Sequence, residues 1–348
     1  MRRSLLATMA VVTMAMATSP APFAATEDRP LVIAHRGASG YRPEHTLGSY
    51  RLAIAMGADC IEPDLVMTKD GALVARHEPE IGTTTDVAAK FPERKTSKTV
   101  DGETVEGWFA EDFTLAEIKT LRARQPRDYR ASAWDGLWEV PTLQEVIDLA
   151  KAATAETGRE ICIYPETKHP TYFAEQGLDI DTALVEVLNR NGLTEPTSPV
   201  FVQSFETGNL KKLKGMTRVR LIQLMEDFDA RPYDLAKAGE TTTYRDLMRP
   251  EALAQIATYA YGIGPWKRTI LPETDGVLGT ATSLIADAHA VGLKVHPYTF
   301  RDEPQFLAKD YEGDATAEYL QFFALGVDGL FSDFPDTAVR ARDRFAGG

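Results

Sequence analysis

Four times along this chain a run of helical periodicity ends in a glycine and passes straight into an apolar strand pattern: Met56-Gly57, Asn191-Gly192, Val291-Gly292 and Leu325-Gly326. Glycine at such a join supplies the left-handed residue that stops a helix, so each join marks the helix-to-strand half of a βα unit. The strands this rhythm predicts are Leu31 to Ala34, Cys60 to Asp64, Ile161 to Pro165, Val200 to Gln203, Arg218 to Gln223, Ala260 to Gly264, Leu293 to His296 and Gly329 to Phe331. Between them lie apolar residues at helical spacing, such as Leu143, Val146, Ile147 and Ala150, or Ile180, Leu184, Val187 and Leu188. Thr142 and Glu145 form a capping box just after Pro141, which starts a helix there. Eight strands alternating with helices predict an α/β chain folded as a (β/α)8 TIM barrel, with an open doubly wound sheet as second choice. A length of 348 residues fits one such barrel plus an insertion.

Residues 1–25 stand apart from this pattern. Arg2 and Arg3 make a positive n-region, and Leu5 to Ala17 is an apolar stretch too short to span a bilayer, which reads as a signal peptide. The protein is expected in the periplasm or secreted, without stable membrane insertion. The barrel then occupies residues 26–348, and its rhythm fails at about 78–140, where the polar run Pro92 to Glu106, a short helix from Thr114 and the aromatic segment Trp134 to Trp138 follow one another. A loop of that length is seldom structureless inside a domain, so a small insertion subdomain after the second strand is expected over the barrel mouth. The chain has two cysteines, Cys60 and Cys162. Cys60 lies two residues before Glu62, whereas Cys162 lies four before Glu166; if the two glutamates share a level, the sulfurs are staggered and stay as buried thiols.

With 38 basic against 51 acidic residues and a net charge of -13, the surface repels phosphate backbones, and no nucleic acid partner is expected. Basic residues inside motifs therefore carry weight. Glu62 and Asp64 are two apart on a predicted strand and point to one face; Glu166 ends another strand and can converge on them. Three such carboxylates suit a hard divalent cation, Ca2+ or Mg2+, although an isolated pair is more often a solvated edge. His35 and His77 each end an apolar run and can act as base and acid at a phosphorus centre, the plain alternative being structural histidines. Arg36 and Lys168 suit phosphate oxygens or, more simply, neutralise the neighbouring carboxylates.

These stretches together carry a resemblance. His35-Arg36-Gly37-Ala38-Ser39-Gly40 with Pro43-Glu44-His45-Thr46, then Glu62-Pro63-Asp64, His77, Tyr164-Pro165-Glu166-Thr167-Lys168 and Gly329-Leu330-Phe331-Ser332-Asp333-Phe334-Pro335 resemble the periplasmic branch of the glycerophosphodiester phosphodiesterase family over nearly all the mature chain. The resemblance implies hydrolysis of deacylated phospholipids to sn-glycerol 3-phosphate and an alcohol through a cyclic phosphate. It also implies Glu62, Asp64 and Glu166 as ligands of one divalent metal ion, Ca2+ ahead of Mg2+. His35 and His77 become the acid/base pair, and Arg36 and Lys168 the phosphate contacts. Glu44 is expected to orient Arg36 or His35, unless it only caps the following helix. Many relatives carry Asn where this chain has His45. A phosphodiesterase acting on intact phospholipid and a non-catalytic exported binding protein remain the alternatives, and a homodimer stays open.

Overall fold

The computed structural model describes residues 29–347, so the leader expected over residues 1–25 lies outside the described residues. All eight expected strands form. They are β1 (Leu31–His35), β2 (Cys60–Glu62, resuming after Pro63 as Asp64–Met67), β3 (Cys162–Ile163, resuming after Pro165 as Glu166–Thr167), β4 (Phe201–Ser204), β5 (Arg220–Met225), β6 (Gly262–Pro265), β7 (Lys294–Val295) and β8 (Gly329–Ser332). The interruptions of β2 and β3 fall at prolines, whose nitrogens carry no hydrogen for the ladder. The strands pair in parallel from β8 through β1 and on to β7. Backbone bonds between the β7 and β8 segments complete the ring: Asp328 N–H donates to Val295 O (2.9 Å), Phe331 N–H to Pro297 O (3.0 Å) and Phe300 N–H to Phe331 O (2.8 Å). This is the TIM barrel expected.

The glycines at the four joins have φ of +96°, +71°, +80° and +93° at Gly57, Gly192, Gly292 and Gly326, a region that side chains with a Cβ avoid. Helix Leu143–Thr157 starts at the Thr142–Glu145 capping box and buries Leu143, Val146, Ile147 and Ala150 against the sheet. The interior of the ring holds a separate apolar cluster of Ile33, Cys60, Cys162, Tyr164, Phe201, Ile222 and Phe331. The Tyr164 hydroxyl meets Nδ1 of buried His296 at 2.8 Å. This cluster is the floor on which the site stands.

Cys60 and Cys162 are joined by a disulfide with Cα atoms 4.4 Å apart, which corrects the expectation of free thiols. That expectation set Glu62 level with Glu166. The register instead pairs Asp64 with Glu166 and Cys60 with Cys162, so both cysteines lie four residues below their carboxylates and the sulfurs meet.

Residues 78–140 form an antiparallel hairpin, Thr96–Val100 with Glu103–Gly107, short helices Val87–Lys90 and Leu115–Ile118, and connecting loops. Phe109 and Phe113 are fully buried beneath it. Trp134 stacks on Trp138 at 6.0 Å, and the Trp138 indole packs so closely on Gly48 that a Cβ there would collide with it. The Arg42 guanidinium lies 3.4 Å above Trp134. The segment is thus fastened to the βα turn that follows β1.

Candidate active site

Strand side chains on one face recur every two residues, so the residue two beyond a strand's last floor position enters the mouth of the barrel. Beyond Ile33 comes His35, beyond Cys60 Glu62, beyond Tyr164 Glu166, beyond Phe201 Gln203 and beyond Phe331 Asp333. Asp64 follows Glu62 across Pro63 and joins the same group. One carboxylate oxygen from each of Glu62, Asp64 and Glu166 lies within 4.8 Å of the others, and all three residues are buried.

Burial and the negative charge of Asp64 and Glu166 raise Glu62 well above the usual carboxylate range. Burial lifts Glu166 to about 8, with Lys168 opposing and Asp64 adding to the rise. Asp64, against its own desolvation, is held well below the usual range, chiefly by His45; His45 Nε2 is 2.9 Å from Asp64 Oδ2. Asp64 Oδ1 is buried with no hydrogen-bond partner among the described residues. Crowded carboxylates with a spare oxygen and two raised protonation equilibria fit a hard divalent cation, whose charge would relieve all three strains.

The remaining expected site residues surround this triad. His35 Nδ1 lies 2.6 Å from Asp333 Oδ1, which leaves Nε2 for a ligand, and burial with the nearby Arg36 charge lowers the ring to about 4. Arg36 N–H donates to Glu62 Oε2 (2.7 Å), and its Nη1 donates to both Glu44 oxygens at 3.2 Å. Glu44 therefore orients Arg36. It does not cap the helix, because Thr46 does so by accepting from Ser49 N–H. His77 follows a short strand, Leu73–Ala75, that runs antiparallel to β2. Its Nδ1 meets Glu78 Oε1 at 2.8 Å, and its Nε2 is 3.4 Å from Lys168 Nζ. Burial together with Arg36 and Lys168 depresses it to about 3. Lys168 also pairs with Glu166 Oε1 at 2.9 Å.

His35, Arg36, Glu62, His77 and Glu166 line one cavity of about 170 Å3. A second cavity of about 470 Å3 shares His77 and Glu166 with it and extends past Lys168 toward Tyr233.

Several residues of the mouth escape sequence reasoning. Asp333 ends an apolar strand just as His35 does, and that placement is the signal that marks it. Arg127 and Arg130 come from the insertion, where no periodicity singles them out. Arg127 Nη1 donates to Glu44 Oε2 at 2.6 Å, and Arg130 Nη2 donates to Asp333 Oδ2 at 2.6 Å. Arg301 Nε adds a second cation to Asp333 at 3.0 Å. The insertion thus braces the two carboxylates that fix Arg36 and His35.

His169, at φ +45°, pairs through Nδ1 with Asp101 in the turn of the insertion hairpin (2.7 Å) and through Nε2 with Glu78 (3.0 Å). Against the cost of burial, Asp101 and Glu78 raise it from 6.5 to about 9. The folded protein then keeps a proton that the unfolded chain releases near 6.5. The gain is complete below pH 6.5, declines as pH rises and is gone above about 9. His169→Asn, which tolerates this backbone, is expected to cost about 1–3 kcal/mol at pH 6, a span that discounts the half-exposed Glu78. Denaturant unfolding of both proteins across this pH range checks it; a difference that grows with pH refutes it.

The sequence profile of the Glycerophosphoryl diester phosphodiesterase family matches residues 35–337. The chain is 38% identical to a glycerophosphodiester phosphodiesterase of Arabidopsis thaliana over 88% of this chain and 84% of that protein. It is 34% identical to one of Haemophilus influenzae over 89% and 88%. A phosphodiesterase of Oleispira antarctica, solved with the product sn-glycerol-3-phosphate, shares the fold with a TM-score of 0.59 at 22% identity, over 90% of this chain and 97% of that one. The glycerophosphodiester phosphodiesterase of Agrobacterium tumefaciens does so with 0.58 at 19%, over 89% and 99%. With the match running from the His35 strand end past Asp333, the chain belongs to the glycerophosphoryl diester phosphodiesterase family.

Proposed function

We propose that the protein hydrolyses glycerophosphodiesters, deacylated phospholipids such as glycerophosphocholine and glycerophosphoethanolamine, to sn-glycerol 3-phosphate and an alcohol. One divalent ion, Ca2+ ahead of Mg2+, is held by Glu62, Asp64 and Glu166. The observation that carries this reading is the single cavity in which two histidines and Arg36 meet Glu62 and Glu166 of the clustered triad. Family membership supports the reaction, and the product bound to the Oleispira protein supports the substrate class. The Cys60–Cys162 disulfide supports a periplasmic or secreted location.

When bound, the cation supplies positive charge to the phosphate oxygens. Arg36, fixed by Glu44, and Lys168 contact the same group. His35 is neutral at physiological pH and oriented by Asp333, so its Nε2 takes the proton of the glycerol 2-hydroxyl as that oxygen attacks phosphorus. The bound phosphodiester brings negative charge that offsets Arg36 and Lys168, the two cations that depress His77. His77 is thereby protonated and gives its proton to the departing alcohol. In the second half His77 takes a proton from water, the hydroxyl opens the cyclic phosphate, and His35 returns its proton to the 2-oxygen.

A coupled assay for sn-glycerol 3-phosphate tests this. Glycerophosphocholine is expected to turn over, exhaustive chelation to remove the activity, added Ca2+ to restore it, and Glu166→Gln to lack most of it. Full activity after chelation would refute the metal. Cleavage of phosphatidylcholine at a comparable rate would favour the intact-lipid enzyme, and no release from either substrate a binding protein.

A further inference from the structure

The larger cavity, about 470 Å3, shares His77, Glu166, Phe205 and Tyr298 with the smaller one. Both histidines and Arg36 line the smaller cavity, so on the proposed reaction the phosphoryl group and the attacking glycerol belong there. What remains of a diester is its alcohol, and His77, its proposed proton donor, is one of the four residues that line both cavities. We propose that the larger cavity is the subsite for the departing alcohol and that it selects alcohols bearing an ammonium group over neutral ones of the same shape.

Two features of its lining carry this. The first is Glu206. It is 4% exposed, its carboxylate accepts from Thr171 N–H at 3.2 Å and from the Thr171 hydroxyl, and among the described residues it forms no ion pair. Of the other buried carboxylates of the mouth, Glu62 also lacks an ion pair among the described residues but belongs to the proposed metal cluster, and the rest differ. Glu44 has Arg36 and Arg127, Glu166 has Lys168, and Asp333 has His35, Arg130 and Arg301. Burial, to which the charges of Asp234 and Asp101 add, raises the Glu206 carboxyl to about 7 against the Thr171 hydrogen bonds. A buried carboxylate without a cation is costly unless a ligand brings one.

The second feature is aromatic. Tyr233, Tyr244 and Tyr298 line the same cavity. The hydroxyls of Tyr244 and Tyr298 donate to the backbone oxygens of Phe205 (3.3 Å) and Met225 (3.0 Å), so both rings are fixed. Phe205 is already covered by Lys168, whose Nζ lies 5.6 Å from its centroid. Tyrosine rings beside an anionic group suit an alkylammonium by cation–π attraction. The cavity's other cations compete weakly: Lys168 and His169 are paired with Glu166 and with Glu78 and Asp101, and Arg231 stands exposed at the rim.

The subsite rests on the proposed phosphodiesterase reaction, and the test separates the two. The metal-loaded full chain is given glycerophosphocholine and the corresponding diester of 3,3-dimethylbutan-1-ol, which replaces the quaternary nitrogen with carbon. We expect kcat/KM to favour the cationic substrate by about tenfold. Glu206→Gln, which keeps the Thr171 contacts and loses the charge, is expected to bring the ratio near unity. Tyr233→Leu, a half-buried position that the fold tolerates more readily, is expected to lower it severalfold. Equal kcat/KM for the two diesters in the unaltered protein overturns the subsite alone, as does a folded Glu206→Gln or Tyr233→Leu with an unchanged ratio. Turnover of neither diester overturns the reaction and the subsite with it.

Discussion

His35→Ala and His77→Ala are each expected to lower kcat by about 10²–10⁴-fold, the usual contribution of a general acid or base, while both proteins remain folded. Retention of the fold follows from what each imidazole leaves behind. Without His35, Asp333 keeps Arg130 and Arg301, and without His77, Glu78 keeps His169, so neither change strands a buried carboxylate. The loss is expected in kcat more than in KM, because Arg36, Lys168 and the carboxylate triad still take the phosphate. Steady-state kinetics with glycerophosphocholine, beside circular dichroism and thermal melts, read both effects. A variant with kcat near that of the unaltered protein would return its histidine to the structural role that a buried, hydrogen-bonded imidazole fills equally well.

Why the barrel and most of its mouth are legible in the chain is a matter of period. Apolar strand runs bounded by glycine give each strand its end, and the two-residue alternation then fixes what faces inward there, so His35, Glu62, Asp64 and Glu166 can be read as neighbours from the chain alone. Asp333 obeys the same rule after Gly329–Ser332. Arg127 and Arg130 obey none. They lie in an irregular stretch of the insertion, and their placement depends on how that subdomain docks, through Trp138 on Gly48 and Trp134 under Arg42, which no local pattern encodes. The cysteines illustrate a different limit. Strand identity is visible in sequence, but relative register is not, and placing Glu62 instead of Asp64 at the level of Glu166 is enough to separate a pair of sulfurs that the fold bonds. Glu206 belongs with the arginines in this respect: it stands out only once the fold shows that, among the described residues, no cation pairs with it.

A glycerophosphodiester whose 2-hydroxyl is replaced by hydrogen is expected to bind with little loss and to turn over at least about a thousandfold more slowly, and a cyclic glycerol phosphate is expected to appear transiently with the normal substrate. The size follows from tethering. A hydroxyl already attached beside the phosphorus gains effective molarities of about 10⁵–10⁸ M over an external nucleophile when well placed. The residues in the mouth match what such a reaction requires: two imidazoles each oriented by a carboxylate, Asp333 for His35 and Glu78 for His77, one to take a proton and the other to give one, with Arg36 and Lys168 to neutralise charge. A hydrolysis by external water would use the same base and acid in a single step, so it is the tethered hydroxyl, and not the pair of imidazoles, that separates the two routes. The cyclic route uses both at once, one at the incoming oxygen and one at the outgoing oxygen, and exchanges their roles when water opens the ring. Rapid-quench product analysis, with phosphorus NMR to identify the cyclic species, distinguishes the routes. If the 2-deoxy substrate is cleaved at a comparable rate, the neighbouring hydroxyl is not the nucleophile, and His35 must instead take its proton from a water attacking the phosphorus directly.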